Sequence, residues 1–481
     1  MHRHQWYQAL FEKIPAIERE ARDYGESLGL ARFAGAIALY SGMSSSPAPL
    51  PGHVLDAIVA ANRGAIGSVQ SIEDDIRSLV KDAYGDAFDC AVVNTCEAGL
   101  RVAIETLIAP PVLRRGEARR AAMLFPYGED CDWGAAYGRA FPPKYKNAAI
   151  DRSVSAGELG MEAKCLSDLE TLFVPFANAR YEVHGIRQNI VPFLLAADGE
   201  ATTAAMERMA ERHGASVAGL HAIGYDTPGY GYHERDAHER PMLMRRFGDL
   251  ARRYDVPFIV DSASALPIVG SGPDDFNADV QLWSLDKIAR APTAGLIVGR
   301  EDALLPIRKA LGLAGERFGN VSSHGKAVFS AFDPGRTALA GVLAALKVLH
   351  EEPERIRRPV DELHDIVSRH FASMDRFAGD FVVTKSYHLG GTEVNYLRTW
   401  DHGRKGIPIF TLEDLYAQTN PIARALSAMG VQPPPIYAGN MTITPGTGLI
   451  DDGGGLDADA AELAVRALVR SIEIVCRHAG L

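Results

Sequence analysis

The chain carries one compact set of residues able to do chemistry together, inside the stretch VPFIVDSASALPIVGSGPDDFNADVQLWSLDKIARAPTAGLIVGR. One apolar run there ends in Asp261, and a second ends in Ser284-Leu-Asp-Lys287. Upstream, the apolar run at 90–93 leads into Asn94-Thr95-Cys96-Glu97-Ala98-Gly99 and then a helical pattern. In an open parallel sheet ligands bind outside the carboxyl ends of strands, so all three segments fall where a site would form. Lys287 supplies an amine able to condense with a carbonyl and to shuttle a proton. Asp261 supplies a carboxylate that can hold a ring nitrogen protonated. The 94–99 turn offers backbone N–H groups and hydroxyls to an anion at a helix N-terminus. Singly, each has an ordinary reading: an acid at a strand end is often a cap, a lysine after a strand is usually solvated, and the turn is a common strand-to-helix corner. Their joint occurrence, each at a strand end, is what is specific.

An amine, a carboxylate for a pyridine nitrogen and a phosphate cradle are the requirements of pyridoxal 5'-phosphate. Lys287 is the expected Schiff-base residue and Asp261 the expected partner of the pyridine nitrogen. The 94–99 turn, with Thr95, Cys96 and Glu97, is expected to contact the cofactor at its phosphate end, and Ser284 could add a hydroxyl to the phosphate. His221 sits near the end of the apolar run 216–222, before a Gly/Tyr-rich loop containing Tyr225 and Asp226; contact with cofactor or substrate is set against a packed cover. Tyr127 and Trp133, after another strand, are candidates for ring stacking or packing. Arg290, close to Lys287, has the planar fork that suits a substrate carboxylate or phosphate. The segment RFGNVSSH (317–324), with His324, has the composition of a loop reaching a neighbouring subunit. Nearer the C-terminus, His388, Thr392, Asn395, Arg398, Asn440 and Thr442 could face the cleft or form turns. The spacings suggest no metal site.

The elements that must position these residues form an alternation of short apolar runs with amphipathic helical runs. Strands are expected at 90–93, 121–125, 188–195, 216–222, 257–260, 280–283 and 296–298. Helices are expected at 97–108, 202–213 and 242–254. Several strands are apolar throughout, as expected when both faces are covered. The expected fold class is therefore α/β: a mostly parallel sheet sandwiched by helices. A helix is read up to about 62, and another beginning at Ser71, where Ser71 and Asp74 have capping-box spacing. The stretch 130–169 reads as an irregular insertion or flap. A long helix over 326–371 leads to a smaller α+β domain with strands at 381–384, 393–397 and near 441, and helices at 412–429 and 457–477. The resulting division is 1–65 (an N-terminal helical segment that could join the small domain), 66–325 (the large domain) and 326–481 (the linking helix and small domain).

Composition narrows the class. The 481 residues carry a net charge of −11, and no basic stripe of the kind nucleic acid requires is visible. Five cysteines in no zinc or redox spacing fit a reduced compartment. No apolar run is long enough to cross a bilayer and the N-terminus has no signal-like core, so the expected location is cytoplasmic. The 94–100 turn lacks both the P-loop lysine pattern and G-x-G-x-x-G, which disfavours a nucleotide-dependent enzyme.

Over about 41–313 the chain resembles the selenocysteine synthase family (L-seryl-tRNA selenium transferase) and its D-glucosaminate-6-phosphate ammonia-lyase relatives. The similar pieces are VVNTCEAGL, HAIGYDTPGYGY, VPFIVDSASAL and LWSLDKIARAPTAGLIVGR. The resemblance implies a fold-type-I enzyme with an aspartate-aminotransferase-like large domain, a site at a homodimer interface, and the roles above for Lys287, Asp261, Thr95, Cys96 and Ser284. It implies an amino acid or amino sugar acid substrate that loses its α-proton to Lys287 and then eliminates or exchanges a β-substituent. Transamination and racemisation begin with the same step; an inactive relative serving as a binding or assembly subunit is the rival of another class. Two departures stand out. The family's Gly-Gly-Pro-Gln turn reads Arg290-Ala-Pro-Thr293 here, and the chain begins almost directly with core-like sequence, which argues against tRNA as substrate.

Overall fold

The computed structural model describes residues 9–10, 12–33, 35–42, 47–64, 69–108, 122–127, 187–192, 199–224, 233–313, 329–374, 377–396, 421–437, 440–451 and 453–481. In chain order the strands are β1 (Ile37–Ala38), β2 (Phe88–Val93), β3 (Ala122–Tyr127), β4 (Arg187–Pro192), β5 (Val217–Ile223), β6 (Phe258–Asp261), β7 (Val280–Ser284) and β8 (Gly295–Arg300). The C-terminal part adds β9 (Phe381–Ser386), β10 (Gly391–Tyr396), β11 (Val431–Gln432), β12 (Ile436–Tyr437) and β13 (Asn440–Ile443). The helices are α1 (Ile14–Ser27), α2 (Gly52–Arg63), α3 (Val69–Tyr84), α4 (Cys96–Leu107), α5 (Gly199–His213), α6 (Met242–Arg253), α7 (Pro273–Phe276), α8 (Glu301–Leu311), α9 (Gly335–Glu351), α10 (Glu354–Ala372), α11 (Pro421–Ala428) and α12 (Ala458–Ala479).

Seven strands form the main sheet in the order β2-β8-β7-β6-β5-β3-β4. Every neighbouring pair is parallel except those of β8, which runs against both β2 and β7. All residues of β2, β6 and β7 are buried, which explains why their sequences are mostly apolar without alternation, Asp89 and Gln281 being the buried polar exceptions inside them: helices cover both faces. The period of two still decides which face each side chain meets. Ile259, Val280, Leu282, Ile297, Ala91 and Val93 pack with α4 and α8. Cys90, Val92, Trp283, Leu296 and Val298 pack with α3 and α9, and Phe258 and Val260 with α6. Trp283 is wholly buried and its ring stacks on Tyr84 at 6.2 Å.

The second sheet is antiparallel, in the order β12-β13-β10-β9. It shares a core with α1, α10, α11 and α12, in which Ile17, Ala21, Ile37 and Leu39 meet Leu363, Val394, Ile422 and Leu468. The N-terminal segment is stitched to this unit by β1, which pairs in parallel with β11. The architecture is α/β, with a mostly parallel sheet between helices and a smaller α+β unit.

All seven expected strands of the main sheet form, with bounds shifted by a few residues. Two expectations at helices are corrected. The continuous helix over 326–371 is two helices, α9 and α10, broken at Glu352–Pro353, because proline disfavours helical backbone in the residue before it. Ser71 does not start a helix, since α3 already runs from Val69. Residues 130–169 and 412–420 lie outside the described residues.

Candidate functional site

The face rule places the chemistry. Asp261 pairs with Leu282 across β6–β7, so its side chain is on the α4 face of the sheet. Ser284, two residues beyond Leu282, shares that face. The N-terminus of α4 arrives on the same face because β2 ends beside β8. Gly295 makes this close approach possible: a Cβ there would lie 2.5 Å from Thr95 O and 2.9 Å from Cys96 Cα. Asp261, Ser284 and the 94–97 turn therefore converge at one sheet edge.

Asp261 is 8% exposed, and its Oδ1 accepts the Ala263 N–H at 2.9 Å. Burial raises its carboxyl above the usual range, opposed by the nearby Lys287 ammonium and the Ala263 bond. Lys287 follows β7 in a turn closed by Leu285 N–H to Ala294 O and Ala291 N–H to Leu285 O, both 2.9 Å. It is half-buried and makes no ion pair among the described residues. An acid and an amine thus face one volume without forming a closed salt bridge.

Thr95 caps α4, its Oγ1 accepting from Ala98 N–H at 3.0 Å, which leaves the hydroxyl proton for a ligand. Cys96 and Glu97 begin the helix, where backbone N–H groups lack intrahelical acceptors and the helix dipole favours an anion. The Glu97 side chain is exposed, so a phosphate would meet its N–H rather than its carboxylate. The Cys96 thiol is pushed well up by burial and then by Asp261, and stays neutral.

Ser284 lies on this face as well, and its Oγ donates to Asp286 Oδ1 at 2.7 Å in a buried pair. Sequence reasoning passed over Asp286; the signal was the Ser-x-Asp spacing immediately before the lysine. His221 pairs with Ile259, two residues before Asp261 along β6, and is 0% exposed. Burial drives its imidazole down to about 3, so the ring is neutral.

Arg290 takes φ +53° and donates its N–H to Lys287 O at 3.2 Å. Its guanidinium is largely buried, burial lowers its pKa, and its Nε has no hydrogen-bond partner among the described residues. Burial depresses the nearby His53 too, with Arg355 and Arg290 adding to the effect; the sequence alone gave no reason to single out His53. Trp133, Tyr225, Asp226, His324 and Arg398 lie outside the described residues, and only the backbone of Tyr127 and Asn440 is described. Thr392, Asn395 and Thr442 are buried in the pairing of β10 with β13, and His388 is buried between the two sheets' loops.

The donor set fits pyridoxal phosphate at three points: a buried carboxylate at a strand end, an amine on the next strand's turn, and a helix N-terminus on the same face.

The chain matches no family model and no curated protein. It is similar to solved structures. A transaminase with pyridoxal phosphate bound superposes with a TM-score of 0.51 at 13% identity, covering 93% of this chain and 87% of that one. A glutamate-1-semialdehyde aminomutase from Pseudomonas aeruginosa PAO1 gives 0.51 at 15% identity, covering 88% and 80%. D-glucosaminate-6-phosphate ammonia-lyase is more distant, at 0.43 and 13% identity over 91% and 95%. The chain accordingly has the aminotransferase-like fold-type-I α/β architecture, at a distance that shows the fold and selects no single family within it.

Proposed function

We propose that the chain is a pyridoxal-phosphate-dependent enzyme acting on an amino acid or amino sugar acid, by β-elimination or β-replacement. The observation that carries the reading is the buried Asp261 carboxylate near the Lys287 amine, which makes no ion pair among the described residues, at adjoining strand ends. When bound, the cofactor supplies an electron sink for bonds broken at the substrate's α-carbon. Lys287 would hold it through Nζ and afterwards carry a proton on the same atom. Asp261 would hold the proton of the pyridine nitrogen, a role its low-dielectric surroundings strengthen. Thr95 Oγ1 and the Cys96 and Glu97 N–H groups would hold the phosphate. Asp286, fixed by Ser284, stands beside Lys287 as a second buried carboxylate.

Arg290 supports a substrate with an acid group. A desolvated guanidinium whose Nε has no partner among the described residues has much to gain from a carboxylate or phosphate. Tyr225, Trp133 and His324 belong to the same proposal as substrate contacts, and a homodimer in the cytoplasm as its setting.

The test is an amino-acid and amino-sugar-acid panel given to cofactor-loaded protein, with release of ammonia and keto acid followed. Ammonia with keto acid from substrates bearing a β-leaving group is the expected result. Keto acid without ammonia, with the cofactor left in its amine form, identifies an aminotransferase instead. No cofactor uptake at all overturns the reading.

A further inference from the structure

We infer that His388 is a positioning residue: through it the small unit clamps the segments that carry Asp261 and Lys287 into one arrangement. His388 lies in the tight turn 387–390 joining β9 to β10, 3% exposed. Its Nδ1 lies 3.1 Å from Ser271 N, whose only hydrogen must be donated, so Nδ1 carries the lone pair. The ring proton is therefore on Nε2, which donates to Gly224 O at 2.9 Å. His388 O accepts the Leu266 N–H at 2.7 Å, and the ring meets Phe276 edge-on at 5.7 Å. One residue of the small unit thus uses both ring nitrogens and its carbonyl on loops of the large sheet.

The places it grips are the ones that matter. Gly224 directly follows β5 and its own N–H bonds Asp261 O at 2.7 Å, so His388 is two hydrogen bonds from the backbone of the aspartate. Leu266 and Ser271 bracket the loop that follows Asp261. The same turn also presses on the lysine segment: a Cβ on Gly390 would lie 2.6 Å from Ile288 Cγ2 and 2.9 Å from Leu266 Cδ1. Ile288 is the neighbour of Lys287, and Leu389 shares a core with Leu266, Leu285 and Ile288.

The loop so held is strained. Ile268 has φ +70°, a conformation β-branched residues avoid, in a three-residue turn closed by Val269 N–H to Pro267 O at 2.7 Å. Such geometry persists only when its surroundings over-determine it. Here Tyr84 Oη accepts the Ile268 N–H at 2.6 Å on one side, while His388 holds Leu266 and Ser271 on the other. A side chain on Gly270 would collide with His388 Nδ1 at 2.6 Å, which fixes the loop against the ring. Releasing His388 lets the turn relax and carries the Asp261 segment with it.

The inference rests on the proposed cofactor site only for its binding arm; the clamp itself is read on cofactor-free protein. His388→Phe keeps the ring and the Phe276 contact but removes both ring hydrogen bonds. Amide exchange at Gly224, Leu266 and Ser271 should then speed up by about tenfold to a hundredfold, while amides of α12 stay protected. Affinity for pyridoxal phosphate should fall by a similar factor, with the pH midpoint of the bound cofactor's absorbance displaced. His388→Gln, which can still donate to Gly224 O, and His388→Asn, which can still accept from Ser271 N–H, should each restore part of the loss. Unchanged exchange in His388→Phe overturns the clamp, as does exchange raised evenly over the whole chain. Loosened loops with wild-type cofactor affinity and absorbance overturn the positioning role and leave a packing strut. Should His388→Phe fail to fold, His388→Gln decides by the same readouts. If wild-type protein takes up no cofactor, the site reading fails, and the exchange pattern alone decides the clamp.

Discussion

The two ends of the main sheet treat buried charge in opposite ways. At the amino end of β2, Asp89 accepts from Arg77 Nε at 2.7 Å and Nη2 at 2.9 Å, and Arg308 donates to Cys90 O at 2.7 Å and Leu313 O at 2.9 Å. Burial alone would raise Asp89; the Arg77 bonds and the Arg308 charge outweigh it and leave the carboxyl below its usual range. At the carboxyl end, Asp261 keeps a raised pKa, Lys287 is without an ion pair, and Arg290 has an unpartnered Nε among the described residues. Both ends bury carboxylates and cations, yet only one neutralises them. Unneutralised buried charge destabilises a fold, and such perturbed groups concentrate where chemistry is done.

The comparison can be broken first at its closed end. Asp89→Ala leaves two guanidinium groups facing a lost carboxylate and should cost about 3–5 kcal/mol in urea unfolding, with cofactor affinity little changed. Because the folded pKa of Asp89 is depressed, its contribution is present above the unfolded value and lost as pH falls through the folded one, so the variant's deficit should shrink in acid. A deficit unchanged between neutral and acid pH would contradict the assignment.

Glu73 is the exception within the closed end. It is 4% exposed, neither oxygen has a hydrogen-bond partner among the described residues, and burial raises it to about 7 despite Arg308. A raised folded pKa means its stabilising contribution is full below the unfolded value of 4.5 and lost as pH rises through about 7. Glu73→Gln should flatten that slope and be more stable than wild type by about 1–3 kcal/mol at pH 8. A wild-type slope that survives in the variant would remove Glu73 as its source.

At the open end the expected change is smaller and of opposite sign to an ordinary core lesion. Asp261→Asn removes a desolvated carboxylate, so cofactor-free protein should gain about 0.5–2 kcal/mol at neutral pH while binding of pyridoxal phosphate weakens. Loss of stability together with unchanged binding would make Asp261 a structural residue.

How much of this was legible follows from the same contrast. Strands covered on both faces announce themselves as short apolar runs, so β2, β6 and β7 were readable together with the polar residues that end them. Asp261 and Lys287 stand out because a charge directly after such a run has few other reasons to be there. Asp286 had one local signal, the Ser-x-Asp spacing before Lys287, which by itself does not say that the two side chains bond. His388 was visible only as a polar residue in a turn; its three partners lie 117 to 164 residues away and follow from tertiary packing alone. The break between α9 and α10 was missed because the apolar period continues across Pro353.

The central claim is that Lys287 is the amine that carries the cofactor. The direct measurement is borohydride reduction of protein incubated with pyridoxal phosphate, followed by peptide mapping by mass. The account predicts one modified site, at Lys287, and no specific modification in Lys287→Ala, whose activity should fall by at least about 10²–10⁴-fold. Label spread over surface lysines, or captured equally by Lys287→Ala, would contradict it.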